Sequence, residues 1–91
     1  MPPATYHRRG TTVNVTIRFC SMCGYEPQVL AVTGPLLTTF KRKLAALTLI
    51  PDSGGCFEVT VNDELVYSKL ATEEFPDTTQ LVEEVRKRLG A

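Results

Sequence analysis

The sequence of 91 residues lacks an excess of either charge: ten Lys plus Arg balance ten Asp plus Glu. Nucleic-acid binders usually carry a basic excess, so that class is disfavoured. Long apolar runs are also missing, and none approaches the roughly 20 residues needed to span a bilayer. The first twelve residues hold Pro2, Pro3, His7, Arg8, Arg9 and Gly10, with no apolar block. A secretory signal needs about 7–15 apolar residues after its basic start. The expectation is a cytoplasmic protein with a flexible tail over 1–12 and one domain over 13–91, binding neither nucleic acid nor membrane. Histidine is scarce too. His7 is the only one, and in the tail it reads as a solvated residue. Three cysteines are an odd number for a disulfide-stapled secreted domain. Nothing repeats internally. An apolar fraction of 43% is ordinary for a globular chain of this size, which can bury one modest core.

What is present is a strand that ends in a C-x-x-C loop. Val13, Val15, Ile17 and Phe19 alternate with Asn14, Thr16 and Arg18. That period of two argues for a half-buried strand over 13–19. Cys20 and Cys23 follow at once, with Gly24 permitting a turn that bulkier residues resist. Glu26-Pro27 then suits a helix entry, since proline is welcome in the first turn.

The spacing of Val29, Leu30, Val32, Leu36, Leu37, Phe40, Leu44 and Leu47 predicts one apolar helix face, with Lys41, Arg42 and Lys43 near its far end. Gly34-Pro35 should kink that helix or divide it near Thr33. Residues 47–50 read as a short strand closed by Pro51. Phe57, Val59 and Val61 alternate again, Asn62-Asp63-Glu64 turns, and residues 65–70 return as a hairpin partner. Asp77 is the expected N-cap of a last helix with Leu81, Val82, Val85 and Leu89 on its buried face. Glu83 and Lys87 are expected to pair across one turn, and Gly90 to end the helix. The order is β-α-β-β-β-α: an α/β domain with a four-stranded mixed sheet and both helices on one face.

The C-x-x-C supplies the chemistry. Thiolates are the nucleophiles and metal ligands, and this spacing often lowers one thiol's pKa. Cys20 leaves the strand first and is expected to be the more exposed, attacking thiol, with Cys23 deeper as the resolving one. A structural zinc needs about four ligands. Only Cys56 and His7 remain to complete a set, so no metal is expected. Two inert cysteines are an alternative, but a glycine-flanked loop is an awkward place to bury them. Cys56 opens the third strand, near Cys20 if that strand runs antiparallel to the first. It could form an alternative disulfide or a glutathione adduct, or simply fill the sheet edge. Ser21, Met22, Gly24, Tyr25 and Phe75 are expected to form the rim, with Phe75 equally suited to pack as a staple before the last helix.

Four blocks in order carry a resemblance: I-R-F-C-S-M-C-G-Y over 17–25, L-I-P-D-S-G-G-C-F-E-V over 49–59, L-V-Y-S-K over 65–69 and F-P-D over 75–77. With these the chain resembles the selenoprotein W-like proteins, the Rdx or SelT/SelW/SelH family. The resemblance implies a thioredoxin-like fold and a thiol-redox role, often linked to glutathione as reductant, with no bound cofactor. Cys23 matches the position that is selenocysteine in some members, making this an all-sulfur version in which Cys23 could be the attacking residue. The partners implied are oxidised protein thiols or one redox-regulated protein. The alternative is a redox-sensitive interaction module without turnover.

Overall fold

The computed structural model describes residues 12–89, so His7, most of the expected tail, and Gly90 lie outside the described residues. The alternating segment folds as β1 (Val13–Cys20). Val13, Val15, Ile17 and Phe19 are buried, whereas Asn14 and Thr16 are half-buried and Arg18 is exposed. The alternation fails only at Cys20, which is buried as well.

Helix α1 (Glu26–Phe40) follows, then a 3₁₀ turn (Lys41–Lys43) and β2 (Leu44–Asp52), which pairs parallel with β1. Strand β3 (Phe57–Val61) pairs antiparallel on the other side of β1, and β4 (Glu64–Ser68) pairs antiparallel with β3. The sheet order is β2-β1-β3-β4. Short α2 (Lys69–Thr72) and α3 (Thr78–Lys87) complete the domain. The mixed four-stranded sheet expected from the sequence is therefore present. Asn62 and Asp63 both have positive φ, 51° and 71°, as a tight two-residue hairpin turn requires. Asn62 also clamps the hairpin to β1: its N–H donates to the Asn14 carbonyl and its Oδ1 accepts from the Asn14 N–H, both at 2.9 Å.

The core lies on one face of the sheet. Val29, Val32, Leu36 and Phe40 of α1 and Leu81 and Val85 of α3 pack there against the odd positions of β1 and Phe57, Val59 and Val61. Burying each such side chain contributes roughly 1.5–3 kcal/mol. Thr16, Thr48 and Thr60 share a register row away from these residues and reach solvent. Asp77 caps α3 as expected, its Oδ1 accepting from the Thr79 N–H at 2.9 Å.

Several expectations need correction. Gly34-Pro35 does not divide α1, which runs unbroken through Pro35. Pro35 cannot donate to the Ala31 carbonyl, but Ala31 is exposed, so water can serve that oxygen. Gly34 lacks the Cβ that a following proline ring would crowd. Second, Leu44 and Leu47 belong to β2 and not to the helix, because Lys41 turns to φ 50° and ends it. Pro51 does not close β2, which continues to Asp52; β2 is the sheet edge, where a missing N–H is tolerated. Third, residues 65–70 are not all strand. The chain leaves β4 at Ser68, whose Oγ accepts from the Ala71 N–H at 3.1 Å and opens α2. Fourth, Glu83 pairs with Arg86 and not with Lys87, while Glu84 takes Lys87 and Arg88.

Candidate functional site

The C-x-x-C loop hangs from both strands beside β1. The Cys20 N–H donates to the Cys56 carbonyl at 2.8 Å, and the Ser21 N–H donates to the Asp52 carbonyl at 2.9 Å. The Gly24 N–H returns to the Ser21 carbonyl at 3.0 Å, and the Tyr25 N–H to the Cys20 carbonyl at 3.3 Å. Gly24 sits at φ +73° with open space where a Cβ would stand, so backbone conformation alone calls for glycine here. Helix α1 begins at the next turn, with Pro27 inside it.

Cys20 and Cys23 are joined by a disulfide with Cα atoms 5.3 Å apart, within the usual range. Their exposure is the reverse of the sequence expectation. Cys20 is wholly buried and Cys23 is exposed. Cys20 ends a central strand with neighbours on both sides, whereas Cys23 lies at the loop's outer end. Cys56 is a free, buried cysteine whose Sγ donates to the Ser53 carbonyl at 3.4 Å. It does lie beside Cys20, as the antiparallel pairing of β1 with β3 implies. Among the described residues, no three His, Cys, Asp or Glu side chains gather to hold a metal ion.

The rim is aromatic. Tyr25 and Phe75 meet edge to face with ring centroids 4.8 Å apart, and Phe75 meets Phe57 at 5.5 Å. Phe75 thus joins the rim to the core. Lys69 Nζ stands 5.2 Å from the centroids of both Tyr25 and Phe75, a cation–π clamp over the rim. Met22 is 86% exposed and stands free of that cluster. Ser21 Oγ donates to Glu26 Oε2 at 2.7 Å, and this bond holds the Glu26 carboxyl below the usual carboxylate range.

The sequence alone assigns no site role to Lys69, Glu26 or Glu58. Lys69 ends the L-V-Y-S-K block and Glu26 starts the helix, so both had a positional signal. Glu58 lies in the 49–59 block, as a charge inside F-E-V-T-V. Its carboxylate is buried and accepts from the N–H groups of Phe57 (3.2 Å) and Leu70 (3.3 Å). Burial opposes its ionisation, but hydrogen bonds from Ser68 and from the Leu70, Phe57 and Lys69 backbone outweigh this and hold its pKa low. An open cavity of about 310 Å³ lies elsewhere, between β4 and α3, lined by Val66, Tyr67, Gln80, Leu81 and Glu84 among others; no cysteine lines it.

A model of the Rdx family matches residues 14–87. The chain belongs to the Rdx family. It is 29% identical over 89 residues to migration and invasion enhancer 1 of Mus musculus, covering 96% of this chain and 74% of that protein. The Bos taurus protein of the same name is 30% identical over 88 residues, covering 94% and 73%. Among solved structures, the fold is similar to a selenoprotein W-related protein from Vibrio cholerae. The TM-score is 0.81 at 26% identity, covering 86% of this chain and 98% of that one. A Bordetella parapertussis protein is similar with a TM-score of 0.79 at 25% identity, covering 84% and 96%. The thioredoxin-like α/β reading thus stands, and the chain is an Rdx redox protein with an all-sulfur C-x-x-C disulfide. Among the described residues, no helix is long and apolar enough to cross a membrane.

Proposed function

We propose that this Rdx protein catalyses thiol–disulfide exchange on oxidised protein thiols in the cytoplasm, with glutathione as its reductant. The observation that carries the reading is the unequal exposure of the bonded pair, Cys23 open and Cys20 buried. Attack on a disulfide needs access to one sulfur. An incoming glutathione thiolate therefore reaches Cys23 Sγ, the Cys20–Cys23 bond breaks, and Cys20 leaves as a thiolate that takes up a proton. A second glutathione attacks the glutathione sulfur held on Cys23. This releases glutathione disulfide and the Cys23 thiolate, for two electrons in all. Towards a substrate, Cys23 attacks the target disulfide, and Cys20 then displaces the reduced target to restore the internal bond. The roles are thus the reverse of those read from chain order.

A second reading is a redox-sensitive interaction module without turnover. The 86% exposure of Met22, between the two bonded cysteines, favours it, because an exposed apolar side chain in the disulfide loop suits a docking contact.

The test is a redox titration in graded glutathione buffers, with thiols trapped and located by peptide mass and Cys56→Ser as control. A reversible two-electron transition between roughly −220 and −320 mV, with glutathione caught on Cys23, supports exchange. Steady-state turnover separates catalysis from stoichiometric capture of one partner. Cysteines that stay reduced and unreactive throughout sink both readings.

A further inference from the structure

Ser21 is the first residue between the two cysteines, and its hydroxyl is committed away from them. It donates to Glu26 Oε2 at 2.7 Å. Glu26 is the first residue of α1. A helix N-terminus carries about half a positive charge and favours a nearby thiolate. Here a carboxylate already occupies that end, and Ser21 tethers it to the loop. The Tyr25 N–H on the Cys20 carbonyl keeps the helix entry folded against the same loop. Glu26 is three residues from exposed Cys23, and neither side chain is covered.

We infer that Glu26 is a positioning residue whose fixed negative charge, tethered by Ser21, disfavours the Cys23 thiolate and so restrains its reactivity. The inference deepens the exchange reading and depends on it only for its biological use. A unit charge several ångströms away in a largely aqueous setting changes an ionisation equilibrium by roughly two- to fivefold. The effect is on the thiolate fraction. It therefore shows as a rate difference near neutrality, and it shifts the exchange equilibrium only above the thiol's own pKa.

The experiment uses fully reduced protein carrying Cys56→Ser. The rate of Cys23 alkylation by iodoacetamide is followed across pH, with the site read by peptide mass. Glu26→Gln keeps an oxygen for the Ser21 hydroxyl and removes only the charge. Its profile is expected to move to lower pH, with alkylation near pH 7 faster by about two- to fivefold. Glu26→Asp keeps the charge and is expected to follow the parent. In 1 M salt, where the Debye length is about 3 Å, the gap between Glu26→Gln and the parent should close. A Glu26→Gln profile superimposed on the parent at low salt overturns the inference. So does an acceleration of equal size at both salt concentrations, which would mean a loosened loop and not a removed charge. Because the reduced thiol is read directly, a chain with no reversible transition in glutathione would end the exchange reading while this profile still decided the role of Glu26.

Discussion

Cys20 and Cys56 lie opposite each other on β1 and at the entrance to β3, with the Cys20 N–H donating to the Cys56 carbonyl at 2.8 Å. Phe19 and Phe57 are register partners one position away. The contact that holds Cys20 is therefore backbone, and the Cys56 side chain is not needed for it. Cys56→Ser should keep the Cys20–Cys23 disulfide and its glutathione transition. A serine hydroxyl can still donate to the Ser53 carbonyl, so the stability cost should be about 1–2 kcal/mol. Thiol labelling of the oxidised wild-type protein should find no reactive cysteine until denaturant is added, then one. Rapid native labelling of Cys56 would contradict its burial.

Glu58 links stability to pH. Its folded pKa lies below its unfolded value. In the window between them the unfolded chain binds more protons, so stability rises with pH. The contribution is complete above the unfolded value, near 4.5, and is lost as pH falls through the folded value. Glu58→Gln should lower stability at pH 7 by about 1–3 kcal/mol, because a neutral amide accepts more weakly than the carboxylate from the Phe57 and Leu70 N–H groups. Urea melts at pH 7 and pH 3 should show that difference shrinking at the lower pH. A constant difference would mean that ionised Glu58 is not what the donors require.

Phe75 ties the rim to the core through two ring contacts. Truncating a buried phenylalanine costs about 3–5 kcal/mol. Phe75 is only half-buried, so Phe75→Ala should cost less, about 2–3 kcal/mol, and wholly buried Phe57→Ala should cost more. Denaturant midpoints order the two. Hydrogen exchange of the Tyr25 amide should speed up in Phe75→Ala if the rim steadies the loop.

Pro35 interrupts no helix but withholds one hydrogen bond from it. Pro35→Ala allows the Ala31 carbonyl to be paired. The variant should be more stable by about 1–3 kcal/mol, read from thermal or urea unfolding. A loss of stability would show that the half-buried proline ring packs usefully against its neighbours.

Local patterns were legible. The period of two in residues 13–19, the Asp77 cap and the loop made by Gly24 each depend on neighbours in sequence, and each is found in the fold. The misread features depend on distant residues. Exposure of Cys20 could not be judged from its place in the chain, since β2 and β3, joined to it only in space, bury it. Helix α2 starts where it does partly because Glu58 accepts from the Leu70 N–H, twelve residues away. Pro51 sits in a strand because, among the described residues, nothing pairs beyond β2. For Gly34-Pro35, the sequence displays the internal proline but not that Ala31 faces water.

The C-x-x-C loop is held by four peptide hydrogen bonds that involve no sulfur: Cys20 to Cys56, Ser21 to Asp52, Gly24 to Ser21 and Tyr25 to Cys20. Breaking the disulfide leaves all four available. The backbone shape of the loop therefore does not depend on the sulfur–sulfur bond alone. A reduced chain that keeps all four bonds would differ from the oxidised one chiefly at the sulfur atoms, and those atoms are what a state-sensing contact would read.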